Sequence, residues 1–508
     1  MIFRCVALAA VLAVSSLVYA QNAKVVGWRG DGTGRYPDAN PPTVWYKKEN
    51  GDKKNILWET KLPCYSWATP VIVGDKLFTR SEPYDLICLN KNTGKILWIR
   101  SYPSFIAVPA EEKTANPAWK DVEPLVAELQ KVNDEFAAEG WTKELYKRKY
   151  DLQKKINQLT AKADKKYELP PDKYVESWSG YTGSTPCSDG QHIYFSSGNG
   201  VTACYDLNGN NKWAKFEAPM LVSYEHGLPW SAGLFGDKLL VPLVVPPGDR
   251  HEVQARNKAT GEPVWRTFFP KARENYFIVP FNVGGVEYGA IFDNLFRVSD
   301  GKSVPIPGTG GDGVAEGDLL FAVHIYGHVT WCRIGSDLKV QLVTPGNKEG
   351  YQQLSIPPAD EAKKYESGSN AYTASPLYYN GLLYVLSNWG RLAVIDPAKA
   401  ELAYVKMLPF DFKNPPGRKT LGMGIGASPA LAGKYIYMID SAGCTIVMEP
   451  GREYKQVAKN NIDYTVPDGW EPNHWLGPHH EQTEASPIAD GSRLYIRGEQ
   501  FMYCIGEQ

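Results

Sequence analysis

The chain lacks a charge of one sign: 55 Lys and Arg stand against 56 Asp and Glu in 508 residues, a formal net charge of −1. That balance supplies no field to gather nucleic acid or an anionic membrane. After residue 20 no second long apolar run follows, so no spanning helix is expected in the rest of the chain. Cysteine is scarce, at eight; no two are adjacent, and no Cys-x-x-Cys-His haem-attachment motif occurs. GTGGDG (Gly308 to Gly313) and GMGIG (Gly422 to Gly426) lack the Lys-Ser/Thr of a phosphate loop and run into strand-like sequence. No nucleotide site is expected.

What is present begins with a secretory signal. In residues 1–20, Arg4 precedes the apolar run Val6 to Val18, and Val18-Tyr19-Ala20 offers small residues for cleavage. The run is short for a membrane anchor, and Cys5 sits too early for lipid attachment. The mature protein is expected to be secreted or periplasmic, with no integral membrane segment. Cleavage would leave seven cysteines, an odd number, so not all can pair within the chain. Cys88, Cys204 and Cys504 share one slot of a repeat, where each is expected to act as a small buried apolar residue.

The fullest copy of that repeat, TPVIVGDKLFTRSEPYDLICLNKNTGKILW, runs from Thr69 to Trp98. It opens on Ser/Thr-Pro, alternates apolar and polar residues through strands around a Gly turn, and closes on Thr-Gly-Lys-x-x-Trp. The opening returns at Thr185-Pro186, Ser375-Pro376, Ser428-Pro429 and Ser486-Pro487. Units of about fifty residues with four short period-2 runs each predict propeller blades. Eight segments fit, with strand starts near Thr69, Thr185, Ser231, Val279, Val314, Ser375, Ser428 and Ser486. The expected fold class is all-β: an eight-bladed β-propeller over residues 55–508, behind a lead-in of residues 21–54. The last copy holds three strands, and NILWETKL (Asn55 to Leu62) is an orphan strand able to supply its fourth and close the ring. In the closing phrase glycine takes the positive-φ turn position. The tryptophan is expected to lie flat on the next blade, with Trp98, Trp213 and Trp265 in that role and Tyr404 as a weaker substitute.

One stretch breaks the pattern. From Trp119 to Tyr167 the sequence is charged and poor in β-formers. Val122, Leu125, Val126, Leu129, Val132 and Phe136 mark one apolar stripe; Leu145, Leu152, Ile156, Leu159 and Ala163 mark another. The spacing predicts a helical hairpin inserted between the first two blades, over residues 117–169, ended by Leu169-Pro170-Pro171. Two roles are open for it: packing on the propeller wall, or reaching out as a partner-binding arm.

These phrases also carry a resemblance. Trp28-Arg29-Gly30, ATPVIVGDKLF, NTGKILW, ATGEPVW, ASPLYYNGLLYVLSNWGRLAVID and GASPALAGKYIYMID make the chain similar to secreted bacterial proteins built from pyrroloquinoline-quinone-type (PQQ-like) repeats. The resemblance covers nearly everything after the signal except the hairpin, and it implies an eight-bladed propeller. It does not by itself imply bound quinone, because these repeats build both quinoprotein alcohol dehydrogenases and a non-catalytic outer-membrane assembly propeller. The dehydrogenases commonly set a disulfide of adjacent cysteines against the quinone, and their haem-bearing forms carry Cys-x-x-Cys-His; this chain has neither. Their Ca²⁺ ligands and catalytic Asp find no residue-by-residue match. PQQ and Ca²⁺ are thus cofactors that the family allows and no residue here specifies.

Propeller geometry brings the residues just before each first strand to one mouth of the central channel. Two of these approaches are rich in ligating groups: SYEHGLPW, with Tyr224, Glu225 and His226, and NHWLGPHHEQTEA, with His474, His479, His480, Glu481 and Glu484. Asn370 and Tyr372 are further rim candidates. His beside Glu suits a pH-sensitive binding site or an acid–base pair, but the spacing matches no compact metal motif, so no metal site is expected. No catalytic residue is assigned. His324 and His328, in FAVHIYGHVTW, are expected to be structural. The function expected is binding or scaffolding of a small molecule, glycan or protein partner at the mouth or the hairpin, with a periplasmic PQQ- and Ca²⁺-dependent oxidoreductase as the alternative.

Overall fold

The computed structural model describes residues 26–48, 50–169, 180–219, 231–245, 250–270, 277–291, 293–306, 311–345, 353–357, 371–410, 425–462, 483–498 and 500–507. The segment read as a secretory signal lies outside them. Among the described residues the strands gather into eight sheets, each built on four antiparallel strands. The first consists of Val71–Val73, Lys76–Ser81, Asp85–Asn90 and Ile96–Ser101. Its two middle strands are buried on both faces, as strands sandwiched between neighbouring sheets must be, whereas Ile96–Ser101 exposes Leu97. The first strand of the fifth sheet, Gly311–Glu316, contains Val314 and begins ahead of it, because Gly311 to Gly313 already pair with Ala322 to His324.

First strands of neighbouring sheets touch one another, which sets them innermost. The Ser/Thr-Pro openings lie there as sheet-to-sheet clasps. The Thr185 amide donates to Ser231 Oγ at 2.8 Å, Ser375 to Ser428 Oγ at 3.0 Å, and Ser428 to Ser486 Oγ at 2.9 Å. The Ser486 amide donates to Thr69 Oγ1 at 3.2 Å, joining the eighth sheet to the first. Proline is tolerated next to each clasp because an innermost strand is an edge and leaves some N–H groups unneeded.

At the outer end the tryptophans do the equivalent work. The indole N–H of Trp58 donates to the Lys91 carbonyl, Trp98 to Leu207, Trp213 to Lys258 and Trp265 to Val298, at 2.9–3.3 Å. Beneath each ring lies the turn glycine of the next sheet. A Cβ built on Gly94, Gly209, Gly261 or Gly301 would come within 2.5–3.0 Å of the ring, and all four have φ between +71° and +83°. Glycine is needed there both for the turn and for the close approach. Tyr404 takes the same slot in the sixth sheet, opposite Val394, and packs half-buried in the core between the sixth and seventh sheets. Cys88, Cys204 and Cys504 sit directly opposite Trp98, Trp213 and Trp58. All three are buried free thiols, pushed up to about 12 by loss of water, hence inert.

Ile56–Lys61 pairs with Phe501–Ile505 and gives the eighth sheet its fourth strand. The lead-in before it is woven into the ring. Val26 pairs with Ser188 of the second sheet. Arg35–Tyr36 adds in parallel to the inner edge of the seventh sheet, and Tyr46–Lys47 adds in parallel to its outer edge.

Two helices, Glu123–Glu139 and Lys143–Ala163, follow the first sheet. Thr142 caps the second by accepting from the Leu145 amide, and Gly140 at φ +83° ends the first. Val132, Phe136 and Leu145 join Leu77, Ile87 and Ile99 in one buried cluster, so the pair packs on the wall of the first sheet. Lys149 is buried on that wall, 3.0 Å from Asp85, with Asn133 and Ser101 completing its bonds. Among the described residues no helix is long and apolar enough to cross a membrane.

Candidate functional site

Of the residues expected at the mouth, Glu225, His226, Asn370, His479, His480 and Glu481 lie outside the described residues. Glu484 and Tyr372 are described, and both are buried. Tyr372 is 3% exposed because its ring lies across Gly327, where a Cβ would come within 2.8 Å. Glu484 is 7% exposed, wedged between the seventh and eighth sheets against Gly426. Burial pushes its carboxyl up to about 8, with Asp440 adding to the rise and the Gly426 amide opposing it. Asp440 itself accepts from the Ala442 and Cys444 amides, and the Thr483 hydroxyl bridges the Asp440 carbonyl and the Gly443 amide. His324 and His328 flank the exposed Tyr326 with ring centroids 6.0 Å apart; His328 Nδ1 meets Ser355 Oγ at 3.1 Å.

Glu82 makes the same kind of junction between the first and second sheets. It accepts from the Tyr181 and Thr182 amides at 2.9 and 2.7 Å and from the Thr182 hydroxyl. Burial nevertheless raises it to about 7. Sequence reasoning passed over it because a single Glu-Pro inside a strand-turn-strand reads as turn punctuation.

Arg29 lies against the starts of the innermost strands of the sixth and seventh sheets. Fully buried, it donates to the carbonyls of Pro376 at 2.8 Å and Pro429 at 3.1 Å, the two prolines that follow the clasps of the sixth and seventh sheets. Gly34 makes room for it: a Cβ there would sit 2.4 Å from the guanidinium. Burial pushes Arg29 down to about 10 and pushes the nearby Asp312 up to about 7, each moderated by the other's charge. Trp28 stacks on Phe277 with centroids 3.8 Å apart and planes 4° apart. The only sequence signal was the Trp-Arg-Gly string itself.

Beside this contact a cavity of about 320 Å³ opens between Gly233–Phe235 of the third sheet and Val279–Val283 of the fourth. Val26, Gly27, Trp28, Gly30, Asp31 and Gly32 of the lead-in form its third wall. Its volume is within the usual range for small-molecule sites.

No family model matches the chain, and no curated protein does. Solved structures do. The quinohemoprotein alcohol dehydrogenase of Comamonas testosteroni is similar over 96% of this chain and 82% of its own, at 11% identity and a TM-score of 0.53. The fold is a β-propeller. At that identity the likeness extends no further than the fold. BamB of Moraxella catarrhalis gives a TM-score of 0.35 at 11% identity, over 63% of this chain and 92% of its own. The computationally designed Ika8 protein gives 0.48 at 7% identity, over 89% and 99%. The described residues do not fit the quinone and haem that the dehydrogenase's description names. The seven described cysteines are all free, no two cysteines are adjacent, no haem-attachment motif occurs, and Arg29 of the lead-in is bound to the carbonyls of Pro376 and Pro429. Among the described residues no three His, Cys, Asp or Glu side chains gather as metal ligands.

Proposed function

We propose that the protein is an exported eight-bladed propeller that binds a partner or small ligand and does no redox chemistry of its own. The observation that carries this reading is Arg29, which ties the chain's own lead-in to the carbonyls of Pro376 and Pro429. On this reading residues 1–20 are a cleaved signal, residues 55–508 are one propeller unit, and the helical pair is an insertion between its first two blades. Glu225, His226, Asn370, His479, His480 and Glu481 would form the rim of the mouth, above the buried Glu484 and Tyr372. The unit can present a protein partner or glycan with that rim, or hold a small molecule in the cavity of its wall.

The test is spectroscopic and catalytic. Protein purified from its own host is examined for quinone absorbance, then supplied with PQQ and Ca²⁺ and offered alcohols and sugars with an artificial electron acceptor. No dye reduction is expected. PQQ-dependent reduction that is lost on His480→Ala or Glu225→Gln would replace the binding reading with the oxidoreductase one.

A further inference from the structure

We infer that the cavity between the third and fourth sheets binds an arylalkyl ammonium: an aromatic ring on a short chain ending in a protonated amine. This rests on the binding-module reading and names the ligand class of its small-molecule site. The argument begins with the gradient along the walls. Trp28, Leu234, Phe235 and Ile278 are buried, whereas Asp31, Asn282 and Glu287 are exposed on the same cavity. Part of the lining is therefore buried, apolar and partly aromatic, and part is exposed and acidic.

The volume comes from missing side chains. Gly27, Gly30, Gly32, Gly233 and Gly236 all line the space. Gly32 at φ +88° brings the lead-in so close to the fourth sheet that a Cβ would lie 2.8 Å from Pro280. The resulting space, about 320 Å³, is at the small end of the range for small-molecule sites.

Charge then selects among small molecules. No Lys, Arg or His lines the cavity among the described residues. The Asp31 carboxylate is oriented by the Thr33 amide and hydroxyl through one oxygen, at 3.1 and 2.5 Å. Glu287 Oε2 points at Gly236, 3.6 Å from where a Cβ would stand. An anion would meet the carboxylates of Asp31 and Glu287, with the nearest cation, Arg29, buried behind Trp28. A sugar would have to strip its hydroxyls of water against Trp28, Leu234 and Phe235. The cationic head belongs at the mouth and not at the inner wall, because the Arg29 guanidinium lies behind Trp28, 5.3 Å from its ring centre. The aromatic end suits the inner wall, where ring contacts add to simple burial.

The probe is 2-phenylethylammonium, titrated by calorimetry into the full chain, with 2-phenylethanol and 3-phenylpropionate as neutral and anionic counterparts. The cation should saturate a single site and weaken with added salt. The alcohol should bind about tenfold more weakly, and the acid should not bind. Asp31→Asn and Glu287→Gln should each weaken the cation roughly three- to fivefold, as expected for a partly exposed charge contact. Their melting temperatures should match the parent, since both side chains are exposed. Phe-Gly-Gly amide distinguishes the source: tighter binding than the free amine would assign the site to a peptide amino terminus carrying the same chemistry. Equal binding of alcohol and cation, or no effect of either substitution, would overturn the assignment while leaving the propeller a binding module. No binding by any probe would overturn it as well; the wider reading stands or falls separately, on PQQ-dependent dye reduction.

Discussion

At the scale of single residues, two kinds of side chain hold the ring, and they respond differently to perturbation. Trp98 and Trp213 cover a neighbour's turn glycine and donate to a neighbour's carbonyl, so each loses packing and a bond when truncated. Trp98→Ala or Trp213→Ala should destabilise by about 3–5 kcal/mol, the range for a buried large-to-small change. Urea unfolding measures this, and a loss below about 1 kcal/mol at both would show that the stacking is ornamental. Glu484 responds to pH instead. Its folded value, about 8, lies above the ordinary 4.5, so between these pH values the folded state holds a proton that the unfolded chain gives up. Stability from this group is full below about pH 4.5 and is lost as pH rises through about 8, on the order of a few kcal/mol at roughly 1.4 per unit. Asp312 and Glu82, each raised to about 7, act in the same direction. Glu484→Gln should flatten the decline between pH 5 and 8 in denaturation curves. A wild-type-to-variant difference independent of pH would show that Glu484 is ionised in the fold throughout.

At the scale of elements, the helical pair and the sheets differ in how much of them could be read beforehand. The sheets were legible because their turn glycines, closing tryptophans and period-2 runs all recur at fixed offsets. The helices were legible from their apolar stripes, but their anchorage was not. Lys149 sits in a run of lysines that reads as solvated surface, yet it is 3% exposed and paired with Asp85, 64 residues earlier in the chain. Burial shifts Lys149 down and Asp85 up, both towards neutrality, and their mutual attraction resists the shift. Removing one partner should therefore cost more than removing both. Lys149→Met alone leaves a buried carboxylate and should destabilise by about 3–5 kcal/mol, whereas Asp85→Asn with Lys149→Met should recover much of the loss. Additive losses in that double-mutant cycle would mean that the two groups act independently. Loosening the helices should also appear as faster proteolysis between Glu139 and Lys143, where Gly140 turns the chain.

For the whole molecule the decisive contacts are the ones furthest apart in sequence. Arg29 reaches carbonyls 347 and 400 residues away, and the Ser486 clasp reaches back 417 residues to Thr69. Backbone carbonyls carry no residue signature, so beyond the Trp-Arg-Gly string the weaving of the lead-in was not legible in the sequence, whereas the orphan strand around Trp58 was visible because its partner sheet came up one strand short. The two parts of the N-terminal region can be separated by truncation. A chain beginning at residue 48 keeps Ile56–Lys61 on the eighth sheet but loses Arg29 and both added edges of the seventh. It should stay folded with a single, lower transition, because the ring remains closed. A chain beginning at residue 63 also loses the strand, which leaves Phe501–Ile505 as an unpaired edge and removes the Trp58 cover from Gly94. That edge should cost several kcal/mol more and promote self-association, since an open strand edge pairs with another chain. Sedimentation and thermal melts of the two truncations decide the matter: equal melting points and equal monomer content would mean that the ring does not depend on the strand that closes it.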